Sequence, residues 1–200
     1  PEPFAKLEPL QENPETIVPV VFAADDNYVP MLTTTIYSML KNASEDRFYD
    51  VIVLERNISD ENKQIITKFL AQFSNAAVRF YDVSRYLAGF NLTTSNAHIS
   101  VETYYRFLIQ DVLPDYDKIL YIDCDLIVNA DVAELYHTDV EGYMLAATRD
   151  PDFIGQINGA NLETRKYCEE EFLMKDPYNY FQAGVLLLNI KEMKAAYSLD

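Results

Sequence analysis

Asp123 and Asp125 stand two residues apart in the run KILYIDCDLIV (118–128), where nearly every other position is Ile, Leu, Tyr or Val. An idle carboxylate in such a setting is costly, because burying an unpaired charge takes several kcal/mol or more. In an extended segment the side chains at i and i+2 project to the same side, about 6.5–7 Å apart at Cα. Two oxygen ligands facing one space suit a hard divalent cation, which takes a few protein carboxylates and completes its shell with phosphate oxygens and water. Such an ion cancels the repulsion within the pair and can act as a Lewis acid on a departing diphosphate. The plainer alternative is an ordinary strand end with two solvated aspartates.

Spacing alone does not decide between them. The chain holds three Asp-x-Asp pairs, Asp115/Asp117, Asp123/Asp125 and Asp150/Asp152, and its aspartate content makes roughly one or two expected by chance, as for any short motif. Asp115 and Asp117 follow Pro114 and read as turn residues. Asp150 and Asp152 flank Pro151 in a loop. Only Asp123 and Asp125 sit where burial penalises an idle charge. In AADDNY (23–28), Asp25, Asp26 and Asn27 either cap the helix starting near Pro30, the reading these residue types favour, or grip a base or ribose. Arg106, among Tyr104, Tyr105 and Phe107, is either a snorkelling cation or a phosphate partner. His98 lies in a polar loop, and His137 has no ligand-spaced neighbour. Five glycines in the whole chain leave little for a phosphate-cradling loop. No Ser/His/Asp or Cys/His constellation stands out.

These residues need elements to hold them. PVVFAA (19–24) reads as a first strand, with Pro19 tolerable only as its first residue. Pro30 suits a helix start, followed by Leu32, Ile36, Met39 and Leu40 on one face. DVIVLER (50–56) is a second strand. Ser59 caps a helix whose apolar face is Ile65, Ile66, Phe69, Leu70 and Phe73. VRFYDV (78–83) is a third strand, and Ser100 caps a helix running through Val112 to the stop at Pro114. KILYID, YMLAAT (143–148) and AGVLLLNI (183–190) are the later strands. Near-continuous apolar strands mark a sheet covered on both faces, and strand–helix alternation implies a mainly parallel α/β sheet. In such sheets ligands gather at the carboxyl ends of the strands. AADDNY, DCD (123–125) and RDPD (149–152) all fall at such ends.

Composition bounds the rest. Two hundred residues, 49% of them hydrophobic, allow one sizeable core. The acidic, Pro-rich residues 1–16 read as an N-terminal arm or linker and 17–200 as one domain; no signal peptide is evident. No apolar run reaches the ~18–20 residues of a bilayer span. Cys124 and Cys168 form no CxxC, so a reducing, cytoplasmic setting is the expectation. A formal charge of −16 argues against nucleic acid, which is bound by Lys and Arg. It also argues against an anionic membrane surface, and a phosphate-bearing ligand is expected to arrive with a divalent cation.

Taken in order, VVFAADDNYVPML, HISVETYYRFLIQDVLP, KILYIDCDLIV, AATRD and YFQAGVLLLNI resemble the family 8 glycosyltransferases, retaining enzymes of the GT-A fold that use nucleotide sugars. The resemblance covers 17–197. It implies a GT-A-like, Rossmann-like α/β fold and transfer of a hexose, glucose or galactose, from a UDP-sugar to a glycan or lipid-linked acceptor in cell-surface polysaccharide or lipopolysaccharide assembly. By position it gives Ala23, Asp25, Asn27 and Tyr28 to the uridine moiety, and Asp123 and Asp125 to Mn²⁺ (or Mg²⁺) bridging the diphosphate. It places Cys124 near the ribose and brings His98 and Arg106 to the donor's phosphate and sugar. Asp150 matches a carboxylate on the donor-sugar hydroxyls, and Gln182 and Ala183 match an Asn-Ala pair lining the sugar site. Gln182 departs from that pattern.

The family's third metal ligand, a His in His-x-x-Gly-x-x-Lys, has no counterpart here: no His follows His137. The chain is therefore expected to stop short of the full family domain. Any peripheral membrane contact would fall to a segment beyond residue 200. An inactive UDP-sugar-binding module is the alternative. Phosphatases of the haloacid-dehalogenase type also use Asp-x-Asp, but want Thr or Val where this chain has Ile127.

Overall fold

A computed structural model describes residues 5–10, 16–88, 92, 101–160 and 162–197. The expected strands form one six-stranded sheet with the order β3-β2-β1-β4-β6-β5. β1 is Ile17–Ala24, β2 Phe48–Glu55, β3 Ala76–Asp82, β4 Lys118–Ile122, β5 Leu145–Arg149 and β6 Phe181–Asn189. β1 to β4 pair in parallel, as the apolar runs predict. β6 runs antiparallel to both β4 and β5, so it enters the sheet from the end at which the other five strands leave. Every residue of β1 is buried. Val18, Val20 and Phe22 pack into one core with helices α1 (Val29–Lys41), α2 (Asp60–Leu70) and α5 (Val132–Tyr136). Val21 and Ala23 pack into a second core with Tyr105, Ile109 and the start of α8 (Ile190–Ala196).

Several local expectations hold. Leu32, Ile36, Met39 and Leu40 are buried, each removal from water being worth roughly 1.5–3 kcal/mol. Ser59 caps α2, its hydroxyl accepting from Asn62 N. Others change. Pro19 lies inside β1, opposite Asp50. Pairing with β4 starts only at Val20, so at Pro19 the strand has a neighbour on one side, where a residue without an N–H is tolerated. Ile65 and Phe69 are about half exposed while Ile66 and Leu70 are buried, so α2's apolar face is narrower than its sequence suggests. Ser100 lies outside the described residues. The segment after it is a 3-10 helix, Val101–Leu108, continued by one α-turn, α4 (Ile109–Val112), and not the single α-helix expected.

The short helices α3 (Ser84–Leu87), α6 (Pro151–Gly155) and α7 (Leu162–Glu170) complete the described elements named here. Residues 5–10 of the N-terminal arm lie against the domain. Leu7 N donates to Val112 O at 2.9 Å, and Tyr81 donates to Ala5 O at 2.7 Å.

Candidate functional site

The carboxyl ends of β1, β4 and β5 and the entry of β6 meet at one edge of the sheet. There a cleft of about 160 Å³ is lined by Ala23, Ala24, Tyr28, Glu102, Thr103, Arg106, Tyr121, Asp123, Cys124 and Asp125. Six of the residues singled out from the sequence, Ala23, Tyr28, Arg106, Asp123, Cys124 and Asp125, thus share one space. Asp25 and Asn27 line an adjoining hollow with Asp26, Arg56, Asn57 and Glu102. Asp25 is a cap, but of the 3-10 turn Asp26–Tyr28 that precedes α1 and not of α1 itself, which has no side-chain cap: Oδ1 accepts from Asn27 N at 2.9 Å and Tyr28 N at 3.1 Å. Asp26 is tied to the start of α2, accepting from Ser59 N and Asn62 Nδ2. Those bonds hold its carboxyl below the usual aspartate value.

The two aspartates differ in their surroundings. Asp123 Oδ1 accepts from the Tyr121 hydroxyl at 2.9 Å and pairs with Arg106 Nη2 at 3.3 Å. The Arg106 guanidinium also lies 4.4 Å from the Tyr121 ring centroid, a cation–π contact. Burial first, and then the Asp123 charge, push the Tyr121 phenol well above its ordinary value, so it stays a donor. Asp125 is exposed and has no hydrogen-bond or ion-pair partner among the described residues. Cys124 between them is 7% exposed. Burial, followed by the charges of Asp125 and Asp123, pushes its thiol up to about 12.

A divalent cation would find two carboxylates here: Asp125, and Asp123 through Oδ2, since Oδ1 is engaged. Carboxylate oxygens fit a hard ion that keeps further positions for phosphate and water. Among the described residues no group of three His, Cys, Asp or Glu side chains could hold a metal. Asp123 and Asp125 lie past the end of β4, Asp125 in a turn, so what brings the two carboxylates together is the cleft they both line and not the alternation of an extended strand.

Of the remaining candidates that are described, Asp150, Gln182 and Ala183, none lines the cleft. Arg106 donates to Ala183 O, and Gln182 folds back on its own strand. Asp150 caps α6, Oδ1 accepting from Phe153 N at 3.0 Å, and its own N–H donates to Tyr180 O. His98 lies outside the described residues. A wider groove of about 600 Å³, with Phe153, Tyr167, Phe172 and Tyr180 in its walls, contains no residue predicted from the sequence.

Sequence reasoning missed the residues that hold the aspartate loop. Thr35, fully buried on α1, places its hydroxyl 2.9 Å from Cys124 O and 2.7 Å from Leu126 O, and accepts from Leu126 N at 3.1 Å. Ser38 accepts from Val128 N, and Asn42 donates to Val128 O. Thr35, Ser38 and Asn42 recur at i, i+3 and i+7, a polar stripe beside the apolar one, and that spacing was the available signal. Gly184 was missed too. A Cβ there would lie 2.5 Å from Asp123 Oδ2.

A family model, Glycosyl transferase family 8, matches residues 19–198. A putative glycosyltransferase of Haemophilus influenzae is 33% identical over 177 residues, 88% of this chain and 49% of that protein. Among solved structures, the bifunctional glycosyltransferase WbbM in its apo form superposes with a TM-score of 0.84 at 30% identity, covering 96% of this chain and 34% of that one. The galactosyltransferase LgtC, in complex with donor and acceptor sugar analogs, gives 0.71 at 31%, covering 89% and 60%. The chain spans about half the length of the curated relatives it matches. It has the sheet and helices of these GT-A glycosyltransferases.

Proposed function

The chain belongs to glycosyl transferase family 8, and from that premise we propose that it carries the donor half of a retaining hexosyltransferase. It moves glucose or galactose from a UDP-sugar to an acceptor hydroxyl in the assembly of a bacterial cell-surface polysaccharide or lipopolysaccharide. The observation that carries this reading is the convergence of Asp123 and Asp125 with Arg106 on one cleft at the carboxyl edge of the sheet. The names of its relatives support the reaction class, and the LgtC structure with donor and acceptor analogs supports a nucleotide-sugar donor and a glycan acceptor.

In this reading Asp125 and Asp123 Oδ2 hold Mn²⁺ or Mg²⁺. When bound, the cation neutralises the leaving diphosphate as a Lewis acid. Tyr121 and Arg106 fix the Asp123 carboxylate so that it need not reorganise as charge develops, the kind of preorganised electrostatics that commonly dominates catalysis. Ala23 and Tyr28 wall the uridine side of the cleft. Asp25 shapes that wall by capping the turn that carries Asn27 and Tyr28. The Cys124 thiol is buried and stays protonated, while its carbonyl is held by Thr35 of α1. By its match to the family's carboxylate, Asp150 would hold donor-sugar hydroxyls through the oxygen its helix does not use. No described helix is long and apolar enough to cross a bilayer.

A second reading is binding of the UDP-sugar without turnover. Calorimetry with UDP and Mn²⁺, followed by turnover assays on the full-length protein, separates the two. Asp125→Asn is expected to abolish Mn²⁺-dependent UDP binding and turnover while leaving the circular dichroism and melting temperature of the chain unchanged. Wild-type affinity in that variant would sink the metal-site assignment.

A further inference from the structure

β6 is irregular where it enters the site. It pairs Leu186 with Ala147 and Phe181 with Arg149, so Gln182–Val185 stand opposite the single residue Thr148. A bulge of this kind takes backbone groups out of the ladder, and buried N–H groups must find other partners. Gln182 supplies one. Its Oε1 accepts from Gly184 N at 2.6 Å and Val185 N at 3.2 Å. Two backbone donors on that atom fix which end of the amide is oxygen.

The bulge is bonded in turn to Asp123. Gly184 O accepts from Asp123 N at 2.7 Å, and the Gly184 backbone lies so close to Asp123 Oδ2 that a Cβ would meet it at 2.5 Å. The carbonyl of Ala183 is turned out and accepts from Arg106 Nη1. Arg106 gives Nε to Thr103 O at 2.8 Å, and Nη2 to Thr103 Oγ1 at 3.0 Å and to Asp123 Oδ1 at 3.3 Å. Of the five N–H donors of a guanidinium, these contacts leave about one for a ligand.

We infer that Gln182 and Arg106 are positioning residues. Gln182 sets the β6 bulge, the bulge presents the Ala183 carbonyl and the bare Gly184 backbone, and Arg106 bridges that carbonyl to Asp123, so that one carboxylate oxygen faces the donor. The inference rests on Asp123 being a donor-site ligand. It differs from a direct contact of Gln182 with the donor hexose in what it says about UDP alone, which carries no hexose to touch.

The test compares wild type, Gln182→Leu and Gln182→Asn by amide hydrogen exchange without ligand and by calorimetry with UDP and Mn²⁺. Gln182→Leu should speed exchange at Gly184 and Val185 and, through the bulge, at Asp123. It should weaken UDP–Mn²⁺ binding about 10-fold or more, the usual scale for losing a group that orients a metal ligand. Gln182→Asn should restore most of both, since an Asn side-chain oxygen accepts from the backbone N–H two residues on. Should Gln182→Leu melt well below wild type, Gln182→Met keeps the unbranched stem and carries the same readouts.

Unchanged exchange at Asp123 together with unchanged UDP affinity would overturn the proposal, and a fall in turnover alone would then mark a sugar contact. A wild-type chain that binds no UDP with Mn²⁺ would instead refute the donor-site reading. The exchange pattern would still decide whether Gln182 fixes Asp123.

Discussion

At the scale of single residues, the site depends on what is absent as much as on what is charged. Gly184 has an ordinary backbone conformation, so glycine is required there by close approach and not by a left-handed φ. A methyl group would meet Asp123 Oδ2 at 2.5 Å and Gln182 Oε1 at 3.0 Å, forcing the carboxylate from its place between Tyr121 and Arg106. Gly184→Ala is therefore expected to destabilise the chain by about 1–3 kcal/mol, the cost of overpacking, and to remove most Mn²⁺-dependent UDP binding. Gly155→Ala is the control, because a Cβ at Gly155 meets nothing within 4 Å. Thermal melts and calorimetry on the two variants check this, and wild-type UDP affinity in Gly184→Ala would refute it. Cys124 illustrates the opposite case, a reactive type made inert. Its thiol, pushed up to about 12 by burial and two flanking carboxylates, has too little thiolate at neutral pH for a nucleophile.

At the scale of elements, α1 serves the site from behind. Its Thr35 and Ser38, with Asn42 just past its end, fasten residues 124–128, so the exposed Asp125 stands on a loop whose backbone is fixed. Thr35→Val keeps the shape of the side chain and removes the hydroxyl, leaving Leu126 N without its acceptor. The expected loss is roughly 1–3 kcal/mol in urea unfolding, with weaker Mn²⁺–UDP binding, and Thr35→Ser should recover both. A Thr35→Val chain as stable as wild type would show that the loop is held elsewhere. This stripe also marks the limit of sequence reading. The strands are legible because a sheet covered on both faces writes each strand as an apolar run, and Asp123 and Asp125 stand out in one, although β4 ends at Ile122 and Asp125 is exposed, so burial is not what penalises an idle charge there. The direction of β6 is not legible, since VLLLN reads alike in either orientation. Nor are Thr35, Tyr121, Gln182 as a bulge clamp, or Gly184, whose meaning comes from neighbours as much as 91 residues away.

At the scale of the whole molecule, a chain of net charge −16 must place its few internal charges with partners. Asp50, fully buried on β2, is held by Arg79 of β3 through Nε at 3.0 Å and Nη2 at 2.7 Å, and by the Tyr116 hydroxyl. Arg79 Nη1 reaches on to Glu8 O at 3.0 Å, so the cluster joins two strands, the segment before β4 and the N-terminal arm. The arm adds bonds from Ala5 N to Tyr86, from Tyr81 to Ala5 O and from Leu7 N to Val112 O. Its removal and the loss of Arg79 should therefore differ in size. Deleting residues 1–10 gives up a few hydrogen bonds whose partners water can take over, at about 1 kcal/mol each, and should lower stability by roughly 2–4 kcal/mol with UDP–Mn²⁺ binding of the folded chain unchanged. Arg79→Met leaves a carboxylate buried and unpaired, which costs about 3–5 kcal/mol, and should be the more damaging of the two in urea unfolding. If the deletion leaves the unfolding midpoint where it was, the arm is a passenger. If it instead abolishes UDP binding while the fold survives, the arm supports the segment that carries Arg106, and its place in the molecule is functional rather than structural.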